Sequence, residues 1–365
     1  MKVKIPWAKP TFSKKEKEYL VDALESTWIS GGVYVERFER DFTQYNGAKY
    51  GMATSNGTTA LQLALLALGV GAGDEVIVPG FTFAAPVNMV IAVGATPVYA
   101  DIDSLTWCID PASVEKLITN RTKAIIAVHL YGNVCDMDAL NIIADKHNLS
   151  IIEDTAEAVF SKYKGKYAGT YGNVGCFSFH AAKTITMGEG GFVLTDKKEL
   201  YEKMRLIRDH GTPKGKRYWH DLVGFNFRLT NLQAAVGCGQ FENLEKIIKE
   251  KQRVYSTYCK YLVDEPGICM QQFTPKVDPV VWAIAVKIDH GFFIGSRDFV
   301  MQRLLDAGIE TRPGFYPFSV MPFYKAKGLY ISEEVGLNVI SLPSYPSLSN
   351  DEINFVCEEL KGMRK

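Results

Sequence analysis

Four short apolar runs, separated by stretches of helical pattern, constrain this chain more than any other feature. They are Glu75–Pro79 (EVIVP), Thr96–Ala100 (TPVYA), Lys123–Val128 (KAIIAV) and Ser150–Glu153 (SIIE). Each is apolar throughout rather than on alternate residues, the pattern of strands buried on both faces. Gly57–Leu68, Ala84–Val93 and Asp136–His147 read as the helices between them. Strands alternating with helices predict an α/β fold with a mostly parallel central sheet and helices on both faces. At 365 residues the chain is longer than one core usually supports. A large α/β domain over 1–240 and a smaller C-terminal α+β domain over 241–365 are predicted. In the second part, Asn231 to Val263 reads as one long helix, Val280–Ile288 as strand and Ser296–Ala307 as helix.

Composition removes several classes. Formal net charge is zero, so no broad electrostatic footprint for nucleic acid or an anionic membrane is expected. The apolar stretch Ala84 to Ala100 is interrupted by Pro86, Asn88 and Pro97 and is no membrane span. Residues 1–10 lack an apolar run of signal-peptide length. Seven scattered cysteines, never in CxxC spacing, argue against a disulfide framework or a metal site and for reduced thiols in the cytoplasm.

Four local segments carry chemistry. In Cys176–Gly191 (CFSFHAAKTITMGEGG) a short strand ends in Ser178, Lys183 follows in a loop, and Gly188, Gly190 and Gly191 come next. A lysine held in a partly buried loop is a competent imine-forming amine; a solvated lysine beside a glycine turn reads the same way. Asp154, in Glu153–Ala158 (EDTAEA), follows a strand at the place where open α/β sheets bind ligands. A carboxylate there would suit a protonated pyridine nitrogen, and an aspartate there would equally cap a helix. Ser55–Leu61 (SNGTTAL) opens an apolar helix. Its N–H groups, the Gly57 turn and the hydroxyls of Thr58 and Thr59 form either a phosphate cradle or an ordinary cap. Phe83, in Pro79–Phe83 (PGFTF), would stack on a flat ring or fill a core. A nicotinamide dehydrogenase is disfavoured, because Gly69–Gly73 (GVGAG) precedes a strand and lacks GxGxxG spacing.

The order and spacing of these segments resemble the DegT/DnrJ/EryC1/StrS sugar aminotransferases, within the fold-type I pyridoxal 5'-phosphate (PLP) enzymes. The resemblance runs from STWISGG (Ser26–Gly32) through SNGTTAL, PGFTF, VHLYGNVCDMDAL, EDTAEA and KTITMGEGG. It continues through YWHDLVGFNFRLTNLQAA (Tyr218–Ala235) and ETRPGFYP (Glu310–Pro317) to LPSYPSLS. It implies that Lys183 holds PLP as a Schiff base and shuttles a proton, and that Asp154 pairs with the pyridinium nitrogen. It also implies that Ser178, Thr58, Thr59 and Gly57 bind the phosphate and that Phe83 stacks on the ring. Asn226 is expected to reach the phosphate site of a second copy, so that a homodimer shares its active sites. Trp28, Ser30, Arg312, Tyr316 and His180 become candidates for the substrate, His180 being read first as packing or a local hydrogen-bond partner.

The implied partners are L-glutamate and a nucleotide-linked keto sugar, with pyridoxamine phosphate arising between them. The implied subgroup aminates C4 of a GDP-linked 6-deoxyhexose for O-antigen-type amino sugars; dTDP- or UDP-linked 3-keto or 4-keto sugars are the alternative. A non-catalytic PLP- or nucleotide-sugar-binding regulator on the same fold is a further alternative. Two departures stand out. Glu157 occupies a position where many members carry Gln or His. Ser319 stands in YPFSVMP where histidine is usual. Family members that dehydrate rather than transaminate replace the lysine by histidine, and Lys183 argues against that branch.

Overall fold

The computed structural model describes residues 3–365. Its central sheet has seven strands in the order Tyr50–Thr54, Gly191–Thr195, Val174–Ser178, Ser150–Asp154, Thr122–Val128, Glu75–Pro79 and Thr96–Ala100. The four predicted strands fall where the apolar runs placed them, and all pair in parallel. Gly191–Thr195 is the exception, running antiparallel to both of its neighbours. Every residue of Glu75–Pro79 and of Val174–Ser178 is buried, as expected of strands covered on both faces.

The parallel strands place their carboxyl ends, Pro79, Val128, Asp154 and Ser178, along one edge of the sheet. The helix Gly57–Ala67 starts at the same edge. Its start is fixed by a capping box, with the Asn56 side chain accepting from the Thr59 N–H at 2.9 Å and the Thr59 hydroxyl accepting from the Asn56 N–H at 3.2 Å.

A second, antiparallel sheet of Ile268–Met270, Ile284–Ile288, Val339–Leu342 and Arg312–Pro313 lies in the C-terminal part. Its core takes in Val254, Tyr258 and Leu262, the terminal helix residues Ile353, Val356 and Leu360, and also Ile5 from the start of the chain. Ile5 bridges to Ile309, and the Trp7 N–H donates to the Glu310 carboxylate at 3.0 Å.

Three sequence expectations change. The single helix over 231–263 is two, Asn231–Glu242 and Leu244–Leu262, broken at Asn243 (φ −100°, ψ 12°). No glycine or proline marks the break, and asparagine tolerates it by leaving helical geometry at little cost. The strand over 280–288 shortens to Ile284–Ile288, because Val280 to Ala283 bend across the large sheet's edge, with the Trp282 N–H donating to the Tyr131 carbonyl at 3.1 Å. Asp154 is the last strand residue rather than the first beyond it. Among the described residues no helix is long and apolar enough to cross a membrane.

Candidate active site

The strand ends, the helix start and the second sheet enclose a cleft of about 670 Å³. Lys183, Asp154, Glu157, Ser178, Gly57 and Thr58 line it, together with Phe83, His180, Arg312 and Tyr316. Ten residues singled out from the sequence thus converge on one space, from segments up to 259 positions apart (Gly57 to Tyr316).

Lys183 enters from the loop after Val174–Ser178, its N–H bonded to the His180 carbonyl at 2.9 Å. Its Nζ lies 3.4 Å from Glu157 Oε1. The other Glu157 oxygen accepts from the Tyr131 N–H at 3.1 Å. Burial pushes the Glu157 carboxyl above the ordinary carboxylate range, Lys183 and the Tyr131 N–H opposing it and Asp154 adding to it. Asp154 is also buried and shifted upward by that burial, opposed by the Ala156 N–H (3.1 Å) and by Lys183.

The strand end carrying Asp154 is braced from behind. Side chains alternate along a strand, so the neighbouring Glu153 points to the other face. There it accepts from the N–H groups of Gly169, Tyr171 and Gly172 and lies 2.9 Å from His129 Nε2. His129 Nδ1 accepts from the Cys135 N–H, so Nε2 carries the proton that Glu153 receives.

Five residues singled out from the sequence lie elsewhere. The Thr59 hydroxyl is used by the helix cap and faces Ser55 Oγ at 3.0 Å; Thr59 is not in the cleft wall. Trp28 is 71% exposed, and its segment, with Ser30, is held at the surface by Asn231. Asn226 is exposed and bridges to Asp209. It is not among the residues that line the cleft of its own chain. Ser319, at the position of the usual histidine, is outside the cleft, and its hydroxyl finds no partner among the described residues.

The sequence reading missed an aromatic wall. Tyr131 lies nearly parallel to Trp282 (6.2 Å, 8°) and to Phe315 (5.6 Å, 5°), while Trp7 meets Trp282 edge-on at 5.7 Å. Tyr131 has φ +57°, uncommon for a bulky residue and a form of strain that collects at functional sites. Next to it Gly132 has φ +109°, and a Cβ there would come 2.6 Å from the Val281 Cα. That close approach seats the Trp282 segment on the large sheet.

The residues present suit PLP. A Cβ on Gly57 would stand 2.8 Å from the Ser178 Cβ, so only glycine keeps open the notch between the helix start and Ser178. First-turn N–H groups and two hydroxyls, of Thr58 and Ser178, border that notch, as a phosphate requires. Asp154 offers a buried carboxyl and Lys183 a primary amine in the same cleft.

The raised carboxyl has a measurable consequence. A carboxyl that binds its proton more tightly in the folded than in the unfolded chain favours folding at low pH, and that contribution is lost as pH rises through the folded-state value. Cofactor-free Glu157→Gln is therefore expected to lose less thermal stability than the wild type between pH 5 and pH 7. Melting curves at the two pH values check this; equal losses would mean that Glu157 is not shifted upward.

The chain as a whole is similar to known aminotransferases. The model of the DegT/DnrJ/EryC1/StrS aminotransferase family matches residues 10–361. The chain is 43% identical over 359 residues to a GDP-perosamine synthase of Escherichia coli O157:H7, covering 98% of this chain and 97% of the relative. Among solved structures, Streptomyces venezuelae DesV with a ketimine intermediate superposes with TM-score 0.90 at 33% identity, covering 97% and 98% of the two chains. A Streptococcus pneumoniae protein described as a sugar aminotransferase superposes in its PMP and PLP forms with TM-scores of 0.94 and 0.93. It is 28% identical, with 98% of both chains covered.

Proposed function

From the membership of this chain in the DegT/DnrJ/EryC1/StrS aminotransferase family, a PLP-dependent family, we propose that it moves the amino group of L-glutamate to C4 of a GDP-linked 4-keto-6-deoxyhexose. The observation that carries the aminotransferase reading is the meeting of Lys183, Asp154 and the Gly57–Thr58 helix start in one cleft. The choice of sugar is supported by the perosamine-forming relatives, which extend to Caulobacter vibrioides and Vibrio cholerae at 41% and 39% identity.

Bound PLP supplies an electron sink conjugated to the transferred nitrogen. The residues of the chain supply the rest. Lys183 Nζ holds the cofactor and, once free, carries a proton to or from the substrate carbon. The Asp154 carboxylate keeps the proton on the pyridine nitrogen. Thr58, Ser178 and the N–H groups at the helix start bind the phosphate. Phe83, 58% exposed and edge-on to Phe315 at 6.0 Å, covers one face of the ring. Arg312, lying 5.7 Å over the Trp7 ring and paired with Glu310 at 2.7 Å, and Tyr316 at the rim meet the nucleotide-sugar. A second copy completes the site through Asn226. The exposed Trp28, Ile29, Val33, Tyr218 and Trp219 offer the apolar surface such a contact buries. The seven free thiols suit a cytoplasmic setting.

The test is a panel of GDP-, dTDP- and UDP-linked 4-keto and 3-keto sugars incubated with glutamate and read by mass. Conversion of the GDP-linked 4-keto sugar is expected. Conversion of only a dTDP- or UDP-linked 3-keto sugar would overturn the substrate assignment while leaving the aminotransferase reading intact.

A further inference from the structure

We propose that the indole face of Trp282 is the resting platform of the Lys183 amine whenever that amine is not covalently engaged, and that Lys251 is the positioning residue that fixes this platform. The proposal rests on the reading of Lys183 as the cofactor lysine and adds a partner that the sequence did not reveal.

Lys183 Nζ stands 3.8 Å from the Trp282 ring centroid. The lysine side chain is 13% exposed and Trp282 7%, so the contact is largely desolvated, where attraction between a cation and an aromatic face is strongest. The amine has a second partner, Glu157, at 3.4 Å. The charge of Glu157 changes with pH, whereas the aromatic face does not titrate. Trp282 therefore holds the amine in the same place on both sides of the Glu157 titration. An amine that must be released, carry a proton and return gains from a fixed resting place, because small misplacements of reacting groups cost rate.

The platform is fixed on every side. Its Nε1–H donates to the Ala182 carbonyl at 2.7 Å, tying the indole to the residue just before Lys183. Tyr131 stacks on the ring and Trp7 meets it edge-on. The main-chain carbonyl of Trp282 accepts from Lys251 Nζ at 2.5 Å. Lys251 projects from Leu244–Leu262 and is buried; its Nζ also donates to Ser344 Oγ at 3.0 Å and lies 3.4 Å from the Ser344 carbonyl. Among the described residues this amine meets only carbonyl and hydroxyl oxygens, and burial pushes it down to about 7. A buried amine can donate these hydrogen bonds in either charge state, and here it joins the Trp282 and Ser344 segments at the residue that carries the platform.

The test uses the full-length protein stripped of cofactor and treated with limiting isotope-coded acetic anhydride. Acetylation of Lys183 is read by peptide mapping against exposed lysines. Trp282→Leu is expected to raise the labelling of Lys183 about tenfold, the ratio that corresponds to a contact of about 1.4 kcal/mol. Trp282→Phe, which keeps an aromatic face, should raise it less. Lys251→Met should raise it measurably; in the holoenzyme it should lower kcat with the KM for glutamate unchanged, the sign of a positioning role. Wild-type labelling in a folded Trp282→Leu protein overturns the proposal, and so do equal increases in the Phe and Leu variants. If Trp282→Leu does not fold, the Lys251→Met labelling decides in the same way. Borohydride trapping of the cofactor on a different lysine would remove the reading of Lys183 and is distinguishable, since it leaves the labelling ratios untouched.

Discussion

Lys183→Ala is expected to abolish turnover and to remove the absorbance near the visible edge that a lysine-bound PLP gives. The amine has two duties, as covalent anchor and as proton carrier. Proton transfer by a positioned group alone contributes roughly 10²- to 10⁴-fold, so loss of both should bring the rate below detection. The fold should survive. The lysine amine meets Glu157 at 3.4 Å and the Trp282 ring at 3.8 Å, and burial, which raises the Glu157 carboxyl, weakens the charge on that partner. The measurement is turnover together with an absorbance scan and a melting curve. Activity retained in a folded Lys183→Ala protein would remove the basis of the proposed chemistry.

Asp154→Asn separates holding the cofactor from activating it. Asparagine keeps the shape and an oxygen to accept the Ala156 N–H, but it cannot carry the negative charge that keeps a pyridine nitrogen protonated. Cofactor binding should weaken only modestly, because Ser178, Thr58 and Lys183 remain. Turnover should fall roughly 10³-fold, the scale on which a preorganised electrostatic group acts in a water-poor site. Melting temperature should stay close to wild type, since the native carboxyl is itself destabilised as an anion by burial. A variant within tenfold of wild-type turnover would mean that Asp154 does not serve the ring nitrogen.

The legible parts of this protein were those written locally. Runs such as EVIVP and KAIIAV announce buried strands because no polar residue interrupts them, and both were found within a residue of their expected bounds. Asp154, Ser178 and Gly57 were legible because each sits where a strand or helix begins or ends, and chain order then brings those ends to one edge. Other features depend on packing between distant segments. Trp282 lies in PVVWAIAV and reads as any apolar residue of a strand; only its approach to Gly132 and Lys251 makes it part of the cleft. Thr59 illustrates the reverse, since two adjacent threonines look alike in sequence while the helix cap takes one hydroxyl and leaves the other at the notch. The break at Asn243 had no marker residue at all. Trp28, Ser30 and Asn226 do not line the cleft of their own chain, and nothing in their local sequence marks that.

The account stands most directly on which amine PLP occupies. The purified protein should be loaded with PLP, reduced with borohydride, digested and mapped by mass. The expected result is a phosphopyridoxyl group on Lys183 in the segment after Ser178, absent when glutamate is added before reduction. A label on another lysine, such as Lys251, or no label in a protein that remains folded, would contradict it.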